Sequence, residues 1–349
     1  MKRLLSLLSV ASILGLFSLT SCVSTDTMEP EIKSDSSKKL ILNFSTPEAL
    51  TTRATDGYKL RLSAKLYSGS LSNLDGRIEK REELIYGEKG NGDVVNQVVF
   101  DVPTGYNYSI LVFADYIPSS FQPDASGRYN DYFYDTSRYK DAVTMLATPG
   151  NKNTEDADIT FFNNDNYDCF SAKQYLEIKN AEEVVFNLEL KRAVAKVRLV
   201  DNSKNSGDYD LKINNINYLK SFNLINDRGG YNSVKSSKAL TLFTQKSFTG
   251  VDEQELAFFY TFASESTTAV EYPQVTLTID DQNGNNNSLQ AKNIDVKRNY
   301  ITTVKGGFLP DSNPKDDPGT GDNTKEGPIY VNMAISTDSW QNQTSSWSN

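Results

Sequence analysis

The chain has 349 residues, which is long enough for two domains of ordinary size, and its formal net charge is −9. An acidic surface disfavours nucleic-acid binding, because phosphate contacts need clustered lysine and arginine. Histidine is absent, which excludes His-based catalytic triads and His-ligated zinc or copper sites. A calcium site built from Asp and Asn, or a hydrolase with two carboxylates, is compatible with this composition. We nevertheless expect no bound metal, no cofactor and no nucleic-acid partner.

Residues 1–21 have the layout of an export signal peptide. A basic start at Lys2 and Arg3 precedes an apolar stretch, residues 4–19, which is short and interrupted by serine. The signal ends in the letters LTSC, and the last of these is Cys22. This ending resembles the lipobox of bacterial lipoproteins, in which the cysteine thiol is acylated and the chain is cut just before it. The alternative is that Cys22 is an ordinary thiol after a secretion signal.

Acylation of Cys22 would anchor the mature protein to a membrane, since each buried CH₂ of an acyl chain contributes about 0.8 kcal/mol. Cys169 is then the only other cysteine, so no internal disulfide is possible. Residues 22–38 contain few apolar side chains and many Ser, Asp and Glu. This composition predicts a tether without a core of its own.

Beyond the tether, apolar residues alternate with polar ones, which predicts β-strands. The predicted strands are 40–44, 60–67, 95–102, 108–113, 186–190, 195–199, 211–218 and 275–279. The strands at 186–190 and 195–199 have little turn chemistry between them, which indicates one long strand or a crossing between domains. Helical patterns are thin, with one turn at 181–183 and a short helix at 253–259. The body is predicted to be all-β, with sandwich spacing.

Turns and connectors complete the pattern. Pro103-Thr104-Gly105 is predicted to join its flanking strands into a hairpin, and Asn283-Gly284 predicts a second hairpin. Residues 46–57 form an exposed connector of the kind that proteases cut, and 117–139 is predicted to be an irregular insertion. Residues 310–328 are rich in Pro, Gly and Asp, which predicts a flexible arm ahead of a final strand.

Three motifs resemble the fimbrillin-like lipoproteins of Bacteroidales, a family that includes major fimbrial subunits. LELKRAVAKVRLV at 188–200 carries the most specific one, RAVAKV, and RNYITTVKG at 298–306 resembles a late-strand motif of the family. Thr52-Arg53-Ala54 lies where the family has its Arg-specific processing site. Together with the lipobox, these matches touch both ends and the middle of the chain.

The resemblance implies two tandem transthyretin-like β-sandwich domains after a lipoprotein signal peptide. The implied divisions are a signal peptide at 1–21, a lipidated tether with a removable first strand at 22–53, and domains at 54–190 and 191–349. Within the second domain, the final strand is 329–340. The resemblance also implies outer-membrane attachment through the lipid, cleavage by an arginine-specific surface protease, and assembly with other copies or related fimbrial subunits into a cell-surface fimbria.

This assembly has a physical logic. A cut between Arg53 and Ala54 would release the strand at 40–44 and leave unpaired backbone groups, which are a template for another strand. The expected donor is the final strand of the next subunit. Its apolar positions are Ile329, Val331, Met333 and Ile335. Head-to-tail repetition of this joint yields a filament, because it does not close on itself.

Other interpretations of these residues remain open. The alternative for Arg53 is a solvated surface charge, and the alternative for the final strand is a place in its own sheet. A surface glycan-binding lipoprotein without polymerisation is the alternative function, since Tyr129, Tyr132, Phe133, Tyr134 and Tyr139 offer rings for sugar stacking.

A carboxylate enzyme is the weakest alternative. Its candidates are Asp165, Asp168, Asp280 and Asp281, which lie in Asn-rich turns where acids mostly shape the turn. A calcium loop at 162–168 lacks the regular spacing and the closing glutamate of such loops. We therefore expect a structural protein and no enzyme.

Overall fold

The structure, a computed structural model, describes residues 37–45, 57–71, 73–87, 89–90, 93–94, 96–152, 160–178, 183–230, 240–265, 273–281, 286–291, 294–310 and 334–339. Strands dominate these ranges, which confirms the predicted all-β class. A single turn of 3-10 helix at Asp165–Tyr167 lies between strands. Within the same ranges, no helix has the length and apolar character needed to cross a membrane.

The first half of the chain builds two sheets. Sheet 1 has the strand order β11-β1-β6 and sheet 2 has the order β12-β10-β7-β2-β3. The strands of sheet 1 are β1 (Ser37–Ser45), β6 (Gln97–Pro103) and β11 (Glu183–Glu189). Those of sheet 2 are β2 (Tyr58–Ser70), β3 (Asn73–Ile85), β7 (Tyr106–Pro118), β10 (Cys169–Ile178) and β12 (Lys191–Arg192). Two short strands, β4 (Lys89–Gly90) and β5 (Asp93–Val94), pair with each other.

The inward faces of sheets 1 and 2 belong to one hydrophobic core. Leu42 and Phe100 of sheet 1 and Leu62 and Val112 of sheet 2 are all buried in it. Strand β7 is buried along nearly its whole length, because it lies between β2 and β10 at the centre of its sheet. Central strands covered on both faces have few polar positions, as the run ILVFA at 110–114 shows.

The hairpin predicted at Pro103-Thr104-Gly105 is wrong. This turn links β6 of sheet 1 to β7 of sheet 2, and β6 pairs with β1 instead of β7. The connection is therefore an arch between two layers of a sandwich. Turn residues mark where a chain reverses, but they do not determine whether the flanking strands pair with each other.

The second half builds sheet 3, with the order β18-β13-β21-β22, and sheet 4, with the order β17-β14-β19-β20. The strands of sheet 3 are β13 (Val194–Asp201), β18 (Gln254–Phe262), β21 (Tyr300–Gly306) and β22 (Ala334–Ser339). Those of sheet 4 are β14 (Ser206–Asn217), β17 (Leu240–Thr249), β19 (Gln274–Asp281) and β20 (Asn286–Ala291). Strands β19 and β20 pair antiparallel, as expected for the hairpin predicted at Asn283-Gly284.

Two predictions about local structure are resolved here. The short helix predicted at 253–259 is wrong, because this segment is largely strand β18, which pairs along β13. Bulky residues such as Leu256, Phe259 and Phe262 are buried along β18, which suits its long pairing with β13. Of the two alternatives predicted for 186–199, one long strand is wrong, since β11 lies in sheet 1 and β13 in sheet 3, and a crossing between domains stays a prediction.

A further sheet joins the two halves of the chain. Sheet 5 has the order β16-β15-β9-β8 and contains β8 (Tyr134–Asp135), β9 (Ala142–Met145), β15 (Ser221–Asn223) and β16 (Arg228–Gly230). Phe222 on β15 pairs with Val143 on β9, and both are fully buried. The domains predicted at 54–190 and 191–349 thus share a sheet, and the boundary between them stays a prediction.

Candidate assembly site

Strand β1 occupies the centre of sheet 1. It runs parallel to β11, with Leu40 opposite Val184, and antiparallel to β6, with Leu40 opposite Phe100. Backbone hydrogen bonds extend this pairing, since Phe44 N donates to Asn96 O over 2.9 Å and Leu190 N donates to Ser45 O over 2.8 Å. Strands β6 and β11 therefore meet only through β1, and its removal would leave a gap one strand wide.

The side chains on the inward face of β1 are buried in the core. Leu40 and Leu42 are 0% exposed and Phe44 is 5% exposed. Full burial of such a side chain stabilises a fold by roughly 1.5–3 kcal/mol, so these three residues together contribute roughly 5–9 kcal/mol. The neighbouring strands supply matching walls, with Val98, Phe100 and Val102 on β6 and Leu188 on β11 also buried.

The predicted processing and lipid sites lie outside the described residues. Cys22 precedes β1, whereas Arg53 and Ala54 fall in the connector between Ser45, the last residue of β1, and Tyr58, the first residue of β2. The connector passes from sheet 1 to sheet 2. A cut after Arg53 would therefore separate β1 from every other described strand.

The structure describes only part of the predicted donor strand. Ile329, Val331 and Met333 lie outside the described residues, while Ile335 is in β22 and pairs with Val304 of β21. Strand β22 is the outermost strand of sheet 3. In this state β22 is paired within its own sheet.

The two family-like motifs meet at the passage from sheet 2 to sheet 3. Arg192 of RAVAKV is buried, and its Nε lies 2.8 Å from Oδ2 of Asp168. Its Nη1 donates to Oδ1 of Asn299, in the RNY motif, over 3.2 Å. The backbone N–H of Asn299 in turn donates to the carbonyl of Val194 over 3.0 Å. The two family-like motifs thus form a structural joint.

Arg298 completes this joint. Its guanidinium, nearly fully buried, donates to the carbonyl of Arg192, and it also donates to Oγ of Ser171 over 2.8 Å and to the carbonyl of Lys191 over 3.1 Å. Its Nη1 is also 3.1 Å from Asp227. Sequence spacing alone offered no signal that the two motifs touch, because more than a hundred residues separate them.

The insertion at 117–139 is held down by a buried ionic cluster. Arg61 on β2 pairs with Asp115 over 2.9 Å and with Asp131 over 3.0 Å, and all three side chains are almost completely buried. Lys65 lies four residues further along β2 on the same face, and its Nζ donates to the carbonyl of Thr136 over 2.6 Å. The insertion therefore covers the second face of β2, which the sequence pattern alone would leave to solvent.

This cluster shifts the pKa of its members in both directions. Burial raises the pKa of Asp131, but the charge of Arg61 and the hydrogen bonds from Lys152 and Thr136 outweigh it and hold that pKa well below its usual range. Burial lowers the pKa of Lys65 from 10.5 to about 8, and the positive charge of the nearby Arg81 acts in the same direction.

The pKa of Lys65 predicts a pH dependence of stability. The folded protein releases this proton near pH 8, whereas the unfolded chain keeps it to about pH 10.4. The folded state then binds fewer protons between these values, so the free energy of unfolding gains a contribution that rises with pH. We expect Lys65→Met to remove this rise. The free energy of unfolding, measured by urea denaturation, should differ between the native protein and the variant by an amount that changes by on the order of 2 kcal/mol between about pH 8 and pH 10.

Lys59→Met is the matched control, because Lys59 lies on the same strand but is only half-buried. The free energy of unfolding of this variant should differ from that of the native protein by nearly the same amount at every pH. A constant difference for Lys65→Met as well would show that Lys65 titrates at its ordinary pKa.

The rings proposed for glycan stacking mostly face the core. Phe133 and Tyr134 are fully buried, and Tyr132 packs edge-on against Phe133 with centroids 4.8 Å apart. Tyr139 is 49% exposed, and Tyr129 is half-buried with Lys59 over its ring. These aromatic residues do not form a continuous exposed platform.

The four carboxylates considered for catalysis have structural partners. Asp168 pairs with Arg192, and Asp280 lies 3.3 Å from Nζ of Lys212. Asp165 accepts from Nζ of Lys196 over 2.8 Å and from the Tyr260 hydroxyl over 2.7 Å. Asp281 is largely buried at the end of β19. Across the ranges that the structure describes, no group of acids, cysteines or histidines has the arrangement of a metal site.

Several solved structures resemble this chain. They include a fimbrial anchor protein, Mfa2, from Porphyromonas gingivalis, with 12% identity, a TM-score of 0.43, and coverage of 77% of this chain and 91% of that chain. A fimbrial assembly protein from Parabacteroides distasonis has 11% identity, a TM-score of 0.40, and coverage of 86% and 98%. A candidate cell adhesion protein from Bacteroides eggerthii has 13% identity, a TM-score of 0.43, and coverage of 87% and 96%.

At these identities the likeness concerns the fold alone. No curated protein matches the sequence significantly. The model of a family described as a family of unknown function, DUF6562, matches residues 33–324. This match begins just before β1 and takes in every described strand except β22. Because it spans most of the sequence, the chain belongs to the DUF6562 family.

Proposed function

We propose that this chain is a structural subunit of a cell-surface fimbria that supports adhesion. It is exported as a lipoprotein, held at the outer membrane through lipid on Cys22, cut after Arg53 and polymerised by donor-strand exchange. Its partners are other copies of itself or related fimbrial subunits, together with an arginine-specific surface protease. It performs no catalysis.

One observation carries the proposal, namely the place of β1. A strand near the start of the mature chain lies in the middle of a sheet, between β6 and β11, and is joined to the remaining strands only by the connector that contains Arg53. Its loss would open a groove with unpaired backbone groups on two sides, which favours capture of another strand.

The energetics favour replacement over an empty groove. The buried side chains of Leu40, Leu42 and Phe44 fill the space between sheets 1 and 2. Without them, the groove exposes apolar walls on β6 and β11 that can be covered again by an alternating strand. Ile329, Val331 and Met333 provide such an alternation.

The position of β22 is compatible with donation. It is the outermost strand of sheet 3, so its departure from β21 leaves β18, β13 and β21 paired with one another. An edge strand gives up one ladder of hydrogen bonds on leaving, whereas entry into the β1 groove forms two ladders.

The proposal is tested by treating the purified mature lipoprotein with an arginine-specific protease, followed by N-terminal sequencing and size analysis. We expect a new terminus at Ala54 and growth of high-mass ladders that resist detergent. Arg53→Gln is the matched control and should remain full-length and monomeric under the same treatment.

Two results would count against the proposal. A protein that resists cutting at Arg53 contradicts the processing step. A protein that is cut there and stays monomeric contradicts strand exchange, and it would redirect attention to polysaccharide binding by the monomer through Tyr129 and Tyr139.

A further inference from the structure

The outer face of sheet 1 carries a chain of amide side chains across its three strands. Asn43 on β1 lies opposite Gln97 on β6 and opposite Asn187 on β11. Nδ2 of Asn43 donates to Oδ1 of Asn187 over 3.0 Å, and Nε2 of Gln97 donates to Oδ1 of Asn43 over 2.9 Å. Asn43 thus uses both ends of its amide to bridge the two strands that β1 separates. We call these three residues the amide row.

The next row of the same face is apolar. Ile41 lies opposite both Val99 and Val185, and these two valines are 41% and 52% exposed. A strand that replaces β1 therefore meets a defined pattern on its outer face as well as on its inner one. It should place an apolar residue opposite the valines and an amide between Gln97 and Asn187.

The final segment of the chain contains this pattern. Residues 40–44 read LILNF and residues 329–333 read IYVNM. Each has three apolar residues, one asparagine and one further apolar residue. If Ile329 takes the place of Leu40, then Tyr330 falls opposite the two valines and Asn332 falls at the place of Asn43.

Only one of the possible registers satisfies the amide row. Shifting the donor by two residues in either direction keeps apolar side chains facing inward, because strands alternate with a period of two. One shift puts Tyr330 at the place of Asn43, and the other puts Ala334 there. Neither side chain has an amide that both donates and accepts.

The residue before the pattern agrees with this register. Pro328 falls at the place of Lys39, next to the start of β11. Proline donates no backbone hydrogen bond and is tolerated at the first position of a strand. The donated strand would then begin at Ile329.

We infer that the donated strand enters the groove of a neighbouring copy in a single register, with Asn332 between Gln97 and Asn187. This inference rests on the proposed function and adds to it the residue that selects the register. The occupant of the groove is thus residues 329–333 of a second copy of this chain.

The register is measurable by disulfide trapping. Because Phe44 and Asn96 form a hydrogen-bonded pair, every second pair from Asn43–Gln97 onward is a non-hydrogen-bonded one, in which side chains lie closest. Ile41 with Val99 and Lys39 with Asp101 are two such pairs, and their Cα separations suit a disulfide. The remaining cysteine, Cys169, is buried and does not compete.

The experiment compares three double-cysteine variants of the full chain after cutting at Arg53 and mild oxidation, all of which keep the amide row and Asn332. Val99→Cys with Tyr330→Cys reports the inferred register. Val99→Cys with Pro328→Cys and Asp101→Cys with Tyr330→Cys report the two shifted registers. We expect covalent ladders on a non-reducing gel for the first variant and none for the other two. Ile41→Cys with Val99→Cys in the uncut protein is the positive control and should form an internal disulfide.

These outcomes distinguish the register from polymerisation itself. Polymers that cross-link in either shifted variant, or in none of the three variants, overturn the register and leave strand exchange standing. Absence of polymers in every variant and in the native sequence refutes the proposed function, and the register falls with it.

Discussion

Leu42→Asp is expected to detach β1 from its sheet and to lower the free energy of unfolding by at least about 4 kcal/mol. The substitution removes a fully buried leucine, which costs roughly 2–3 kcal/mol. It also places a carboxylate without a partner in an apolar core, which costs several kcal/mol more. Urea denaturation measures the total effect. Amide hydrogen exchange should show loss of protection in β1, β6 and β11 first.

Ile41→Asp is the matched control on the same strand. Ile41 is the neighbour of Leu42 but points to the outer face, where it is only partly covered. Its replacement should cost about 1 kcal/mol, within the range of exposed strand substitutions. Equal losses for the two variants would show that the two faces of β1 are not distinguished by burial.

The second large effect is expected at the joint between the family-like motifs. Asp168→Ala leaves the buried guanidinium of Arg192 without its carboxylate, which lies 2.8 Å away in the native protein. Removing one member of a buried ion pair typically costs 3–5 kcal/mol. We expect a loss of about 3 kcal/mol or more in urea denaturation.

Asp252→Ala tests whether the effect is specific to burial. Asp252 also pairs with a lysine, Lys204, over 3.1 Å, but its side chain is 65% exposed. Exposed pairs contribute about 0–1 kcal/mol, so this variant should be nearly neutral. The double variant Arg192→Met with Asp168→Leu should recover much of the lost stability, because a well-packed apolar pair can replace a buried ionic one. A neutral Asp168→Ala would mean that Arg192 does not depend on this carboxylate.

The sequence predicts strands well where one face meets the core. Alternation identified β1, β6 and β14 because their buried residues recur at every second position. It missed β3, whose letters NLDGRIEKREELI are dominated by charge. Strand β3 is paired at the edge of sheet 2, so its place depends on a neighbour rather than on its own pattern.

The sequence alone does not predict which strands pair with each other. The candidate site depends on β1 lying between β6 and β11, and no local feature of residues 40–44 distinguishes a central strand from an edge strand. The same holds for Arg61 and Lys65, which alternate with leucines like solvent-facing residues but are covered by the insertion. Contacts between distant segments decide these cases.

The parallel pairing of β1 with β11 has a consequence for the order of folding. Leu40 finds its partner Val184 near the middle of the chain, so the first strand has nothing to pair with on that side until most of the first half has been delivered. Contacts between segments so distant in sequence form slowly, because a long loop must close first. During that delay β6 and β11 would present the same open groove that the proposed cut after Arg53 would create. Premature joining of neighbouring chains is thus a hazard of this topology, and the proposed lipid on Cys22 would hold each precursor at the membrane while β1 docks.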